Sequence, residues 1–320
     1  MDKSILNNAI AGKIREILAE KKMSQREFAV KMGKKESEVS RWLSGAQGFT
    51  TTTLNKISSV LGVSVLPNEV KSPEKSGSKN IAIILAGGVG SRVGVGKPKQ
   101  FVNVLGKPIL AYTLDAFQKH SEIDAIEVVC VETHIDYLKK LCDKFGFSKV
   151  KWITPGGSTF QESVMHGVDN LKGKIGDDDI VLIHYGASPY VSKEIISDGI
   201  KVCRQKGNCV SATPCYLLTG SNDNGKESTK WVDRDKIMQL NSPQCFRFEY
   251  VVQLYEEAVE KQLLDKVEPH TTSLMYLMGR TIYFSKGDQT NIKITTKEDL
   301  DMFEGYALLK MIREQENDKW

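Results

Sequence analysis

At 320 residues, 40% apolar and 26% charged, the chain has the size for two domains and the balance of a globular protein with a sizeable core. No run approaches the roughly 18 consecutive apolar residues of a membrane span, and the opening "MDKSILNNAIAGKIREIL" carries charges through its apolar part, unlike a signal peptide. The six cysteines include no C-x-x-C pair, which argues against a zinc ribbon and leaves a cytoplasmic protein with reduced thiols as the expectation.

The net charge of +4 is unevenly placed. Residues 1–80 hold 14 Lys and Arg against 8 Asp and Glu, whereas the remainder holds 30 against 32. A polyanionic partner is therefore expected for the first part alone. In chain order, "AIAGKIREILAEKK" has apolar residues at helical spacing and ends in Lys21-Lys22, which suits a helix C-terminus. Ser24 followed by Glu27 is a capping box opening a second helix, and Gly33 closes it. Lys35–Leu43 makes a third helix, and "TTTLNKISSVLGVSV" a further one. Two short helices about a glycine turn form a helix-turn-helix, whose second helix enters the major groove of DNA.

The pattern "SQREFAVKMGKKESEVSRWLSG" resembles the Cro/repressor-like (Xre) family over roughly residues 10–65. That resemblance places Gln25, Ser37, Ser40 and Arg41 against DNA, with Lys34 and Lys35 near phosphates and Trp42 and Leu43 in the core. A helical bundle serving protein contacts is the competing reading, because Glu36 and Glu38 sit on the supposed recognition helix. Residues 1–65 thus form a small all-α domain. "LPNEVKSPEKSGSKN", with two prolines and hardly an apolar residue, makes 66–79 a linker.

From residue 80 the pattern changes to α/β. "NIAIILAGG", "AIEVVCVE" and "DIVLIH" read as strands buried on both faces of a sheet, with "CVSATP" and "TIYF" weaker. Helical stretches "HIDYLKKLCDKFG", "FQESVMHGVDNL" and "SKEIISDGIKVCRQ" lie between them, which implies a doubly wound sheet with its ligand outside the carboxyl ends of the strands. There stands "ILAGGVGSRVGVGKPKQF". It fails the dinucleotide fingerprint, because the third glycine position is Val93. It fails the P-loop too, because Ser91 replaces the first glycine and Pro98 the Ser/Thr. What remains is a long glycine loop whose amides can face oxygens, with Arg92, Lys97 and Lys99 as cations for more than one phosphate group.

With "KPILAYTLDAF", "PGGSTFQESV", "VDRDKIMQLNSPQCF" and "NIKITTKEDL", this loop resembles the methylerythritol-phosphate and ribitol-phosphate cytidylyltransferases from about residue 80 to the C-terminus. The resemblance implies a Rossmann-like nucleotidyltransferase domain over 80–320 with a projecting β-arm, a homodimer, Mg²⁺, and transfer of CMP from CTP to a sugar- or polyol-phosphate with release of pyrophosphate. It gives Arg92, Lys99 and Lys293 to the reacting phosphates, and Leu85, Ala86, Gly87, Gly88, Gly90, Gly157 and Ser163 to the nucleotide. It gives Tyr185, Ser188, Arg234 and Ser242 to the acceptor, Arg234 reaching across the dimer. "LLTGSNDNGKESTKWV" suits the arm, with Asn224-Gly225 as its hairpin signal.

Departures from that pattern fall on the acceptor side. Tyr185 replaces an aspartate and Ser188 an arginine in "HYGASPY", Phe160 replaces an arginine, and "PHTTS" lacks an acid. A serine hydroxyl cannot replace a bidentate arginine contact. The expected function is therefore a cytidylyltransferase acting on an acceptor other than methylerythritol phosphate. The alternative is a DNA-binding regulator whose second domain senses a nucleotide or phosphorylated ligand. No general base is required, because a phosphate monoester is already ionised near neutral pH. Fixed cations bring two polyanions together.

Overall fold

The computed structural model describes residues 3–49, 51–61, 77–88 and 98–315. The chain divides into two compact units, residues 1–75 and 76–320, and each is described by itself.

The first unit contains helices α1 (Lys3–Glu20), α2 (Gln25–Met32), α3 (Glu36–Leu43) and α4 (Thr51–Leu61). Helix α2 starts on the expected capping box: Ser24 Oγ accepts from the Glu27 amide at 3.2 Å and the Glu27 carboxylate accepts from the Ser24 amide at 2.8 Å. Gly33 ends it in the left-handed region, φ 65°. Ile14, Phe28, Met32, Val39, Trp42, Ile57 and Leu61 pack together as the core, so Trp42 and Leu43 are buried as expected. Helix α3 begins at Glu36 with Lys35 as its N-cap, and Ser37, Ser40 and Arg41 are exposed on it. Gln25 donates to the Glu36 carbonyl at 3.4 Å, which ties the start of α2 to that of α3.

The second unit is built on β1 (Asn80–Ala86), β2 (Asn103–Val104), β3 (Lys107–Pro108), β4 (Ala125–Cys130), β5 (Val150–Pro155), β6 (Ile180–Tyr185), β7 (Asn208–Pro214), β8 (Thr219–Gly220), β9 (Trp231–Val232), β10 (Met238–Arg247) and β11 (Phe284–Lys286). Its helices are α5 (Ile109–Gln118), α6 (Ile135–Phe145), α7 (Phe160–Leu171), α8 (Lys193–Lys206), α9 (Phe248–Glu260), α10 (Thr271–Leu277) and α11 (Lys297–Gln315). Seven strands form one sheet in the order β11-β7-β10-β6-β1-β4-β5. Strand β1 runs parallel to β4 and β6, and β5 parallel to β4, whereas β10 is antiparallel to both β6 and β7. The sheet is therefore mixed. The "TIYF" strand lies a few residues later, at Phe284–Lys286, and β5 and β10 join the strands read from sequence.

Alternation along β1 sends Ala82, Ile84 and Ala86 into a core under α5, α6 and α8, and Ile81 and Ile83 into a core under α7, α9 and α10. Each large aliphatic side chain buried this way contributes about 1.5–3 kcal/mol. This three-layer packing brings the carboxyl ends of the parallel strands into register: Ala86 pairs with Cys130, Cys130 with Pro155, and Leu85 with Tyr185. Ser78 and Lys79 already bond to Asp178 and Asp179, so the expected linker joins the second unit before residue 80. The arm is the hairpin β8–β9, turned at Gly225. Leu217, Leu218 and Trp231 stand 72%, 94% and 78% exposed on it.

Candidate functional site

A cleft of about 450 Å³ opens beyond the carboxyl ends of β1, β5 and β6, the place this topology reserves for ligands. From the β1 end come Leu85, Gly87 and Gly88, with Lys99 and Gln100 on the return of the chain. From the β5 end come Gly157 and Ser158, followed by Thr159, Phe160 and Ser163 at the start of α7. Tyr185 and Ala187 arrive from β6 and its following turn, and Lys293 and Thr295 from the segment before α11.

Close backbone approach shapes the nucleotide side. A Cβ on Gly156 would come within 3.2 Å of the Gly87 Cα, so the two loops touch main chain to main chain. A Cβ on Gly157 would lie 2.3 Å from the Glu162 Cβ, a contact no residue other than glycine avoids. Ser163 Oγ accepts from the Gly157 amide at 3.1 Å, which fastens this turn to α7. Thr159 caps α7 by accepting from the Glu162 amide, leaving a helix N-terminus at the rim, a favourable place for anionic oxygen. Ala86 is buried just below, its carbonyl accepting from the Gln100 side chain at 2.6 Å. The same Gln100 amide also donates to the Gly88 carbonyl at 2.9 Å, so one buried side chain joins the departing and returning ends of the glycine loop.

Lys293 is placed by its neighbours. The Ile294 amide donates to Ala187 at 2.8 Å, and Asn291 donates to the Ser242 carbonyl at 2.6 Å. Asn241 in turn donates to the Asn291 carbonyl. The Lys293 ammonium sits 4.0 Å from the centre of the Tyr185 ring. Phe160 lies 5.6 Å from Tyr185 and 4.7 Å from His270 between ring centres, so an aromatic wall stands on this side. Burial, with a smaller contribution from Glu268, pushes the Tyr185 phenol up to about 12 and keeps it neutral. Burial, then the charge of Lys293, lowers His270 from its ordinary value.

Of the residues expected from sequence, Leu85, Gly87, Gly88, Lys99, Gly157, Ser163, Tyr185 and Lys293 meet in this cleft. Gly90 and Arg92 lie outside the described residues. Ser242 is buried beneath it, its hydroxyl accepting from the Tyr185 amide at 3.4 Å, and supports Tyr185 from below. Ser188 does not reach the cleft: it is fully buried, its carbonyl bonded to His184 and its hydroxyl turned into the interior. Arg234 lies at the base of the arm, donating to the Tyr216 carbonyl at 2.7 Å and lining a separate hollow there. Sequence pattern marks neither Gln100 nor His270; nothing in "KPKQF" reveals that its glutamine spans the carbonyls of Ala86 and Gly88.

The donor set bears on Mg²⁺. Among the described residues lining the cleft there is no Asp or Glu, and residues 89–97 read VGSRVGVGK, again without an acid. Among the described residues no cluster of His, Cys, Asp or Glu could hold a metal. Hydroxyls and lysines do not fit a resident hard cation, which asks for carboxylate oxygen.

Residues 80–308 match the model of the 2-C-methyl-D-erythritol 4-phosphate cytidylyltransferase family, and residues 14–67 match a helix-turn-helix family. The chain is 39% identical over 225 residues to the ribitol-5-phosphate cytidylyltransferase of Lacticaseibacillus paracasei, covering 70% of this chain and 96% of that protein. It is 38% identical over 223 residues to the 2-C-methyl-D-erythritol 4-phosphate cytidylyltransferase of Clostridium acetobutylicum, covering 69% and 94%. The crystal structure of the Francisella tularensis 2-C-methyl-D-erythritol 4-phosphate cytidylyltransferase superposes with a TM-score of 0.59 at 26% identity, covering 71% of this chain and 98% of that one.

Proposed function

Because the chain belongs to the 2-C-methyl-D-erythritol 4-phosphate cytidylyltransferase family, we propose that it joins CMP from CTP to a phosphorylated polyol of the ribitol 5-phosphate class, releasing pyrophosphate. It is a nucleotidyltransferase enzyme. The observation that carries the reading is the cleft itself, which gathers glycine main chain, a helix N-terminus and the cations Lys99 and Lys293. An acceptor phosphate oxygen attacks the α-phosphorus of CTP, and the bond to the bridging β-oxygen breaks. The pyrophosphate leaves with the electron pair. Lys99 and Lys293 compensate the charge of both polyanions and of the transition state, and Arg92 of the glycine loop is assigned the same task. With no carboxylate among the described residues that line the cleft, no step is assigned to a protein-held Mg²⁺.

Relatives named for either substrate are nearly equally similar, at 39% and 38%, and the choice of acceptor follows the first of these together with the departures from the methylerythritol-phosphate pattern on the acceptor side. Phe160 and Tyr185 offer ring faces, and Ser188 is withdrawn from contact. Pyrophosphate release from CTP should show a kcat/KM for ribitol 5-phosphate at least about tenfold above that for methylerythritol phosphate, worth some 1.4 kcal/mol of transition-state binding. The reverse ranking overturns the assignment. The apolar side chains exposed on the arm support a homodimer, and the absence of any membrane-length helix among the described residues is compatible with cytoplasmic work.

A second reading applies to the first unit. Ser37, Ser40 and Arg41 are exposed together on α3 beside Gln25, the arrangement of a recognition helix. DNA binding through this face should weaken steeply with salt and be lost in Arg41→Ala. Binding that ignores both salt and this substitution would assign the unit to protein contacts instead.

A further inference from the structure

We propose that Tyr185 is a positioning residue: its ring is the platform that holds the Lys293 ammonium in the cleft, an inference that rests on the cytidylyltransferase reading above. The ammonium lies 4.0 Å from the ring centre, well inside the roughly 6 Å over which a cation is attracted to an aromatic face. The platform is itself held. Leu85 pairs with Tyr185 across the β1–β6 register, Ser242 accepts from the Tyr185 amide, and Phe160 and His270 flank the ring at 5.6 and 6.5 Å. The chain bearing Lys293 is fixed separately by the Ile294–Ala187 and Asn291–Ser242 bonds. Ring and ammonium are thus brought together by two sets of contacts that meet at Ser242 and at the turn after β6.

The chemistry of the partner matters. A carboxylate at position 185 would fix the lysine by neutralising it, and would itself repel a triphosphate. A neutral ring attracts the ammonium through its quadrupole without itself adding a countercharge. Tyr185 therefore keeps a preorganised cation in a cleft whose described lining residues include no carboxylate. The face of the ring does this, not the hydroxyl.

The test is a double-mutant cycle on the full chain with Tyr185→Leu, Lys293→Ala and their combination, together with Tyr185→Phe. Pyrophosphate release from CTP and ribitol 5-phosphate is measured alongside calorimetric binding of CTP alone. Tyr185→Phe should keep several times the kcat of Tyr185→Leu, since the ring face survives. Tyr185→Leu should lower kcat about tenfold or more, and the double variant should be no slower than Lys293→Ala alone. Additive effects, or a Tyr185→Phe enzyme as impaired as Tyr185→Leu, overturn the proposal. If the wild type binds CTP but turns over no acceptor, the acceptor reading fails separately and the same cycle is read on CTP affinity. There, coupling between the two sites supports the platform and additivity removes it. A wild type that does not bind CTP removes both.

Discussion

Lys99 reaches the cleft from the short helical turn Lys99–Phe101, directly after Pro98, whose ring fixes the entering backbone. Because a fixed cation acts on charge that develops in the transition state, Lys99→Ala should cost on the order of 3 kcal/mol, a hundredfold or more in kcat. The circular dichroism and melting temperature of the variant should match the wild type. A variant with near-normal turnover would show that the triphosphate lies elsewhere. Gly157 tests a different property, space. An alanine methyl would overlap the Glu162 Cβ at 2.3 Å, so Gly157→Ala should push the turn away from α7 and release the Gly157–Ser163 bond. Overpacking of this kind costs about 1–3 kcal/mol, and calorimetry should find CTP affinity reduced together with the melting temperature.

At the level of elements, Gln100 clips Ala86 and Gly88 to the returning chain. Gln100→Leu keeps the volume and removes both bonds, taking that donor from the Gly88 carbonyl and leaving the Ala86 carbonyl with the Val131 amide among the described residues. The expected result is at least a tenfold rise in the KM for CTP with a stability loss of about 1–3 kcal/mol, both measurable on one preparation. The neighbouring strands show what sequence patterning carries and what it omits. Strands β1, β4 and β6 are legible because they are buried on both faces and read as continuous apolar runs. Strand β5 is half exposed along "VKWITP", and β10 contains Pro243 and a register shift between Leu240 and Gln244, so neither shows a clean period. Local pattern reports burial; it does not report that a late strand inserts antiparallel between β6 and β7. The same division holds at the site. Glycines, Lys99 and Lys293 stand out as residue types with an obvious phosphate chemistry. The partners around them, such as Gln100 between the Ala86 and Gly88 carbonyls and His270 beside Phe160, are set by tertiary approach alone.

For the molecule as a whole, two buried titratable groups in the central sheet set opposite pH dependences. Burial raises Glu127 from 4.5 to about 7, although Thr154 and Asn170 bond one carboxylate oxygen. Burial lowers His184 from 6.5 to about 4. Glu127 is raised in the folded state, so its contribution is present below pH 4.5 and lost as pH rises toward 7. His184 is lowered, so its contribution is present above pH 6.5 and lost as pH falls toward 4. Each can reach about 3 kcal/mol, and across roughly pH 4.5–6.5 they offset one another. Denaturant unfolding of the wild type should be nearly flat with pH there, whereas Glu127→Gln should gain stability steadily as pH rises through that window. A Glu127→Gln profile as flat as the wild type would remove Glu127 from this balance.

The contact between the Gly87 and Gly156 loops has a consequence for how this cleft can change. Where two backbones meet without side chains between them, what a ligand encounters there is amide and carbonyl, and those groups are the same whatever the codon. Selection or engineering that alters one residue at a time has little purchase on such a surface except to block it. The Phe160–Tyr185–His270 wall is made of side chains and can be rewritten one substitution at a time. New acceptors should therefore be reached by point mutation, while a new nucleotide base should require loops of a different length.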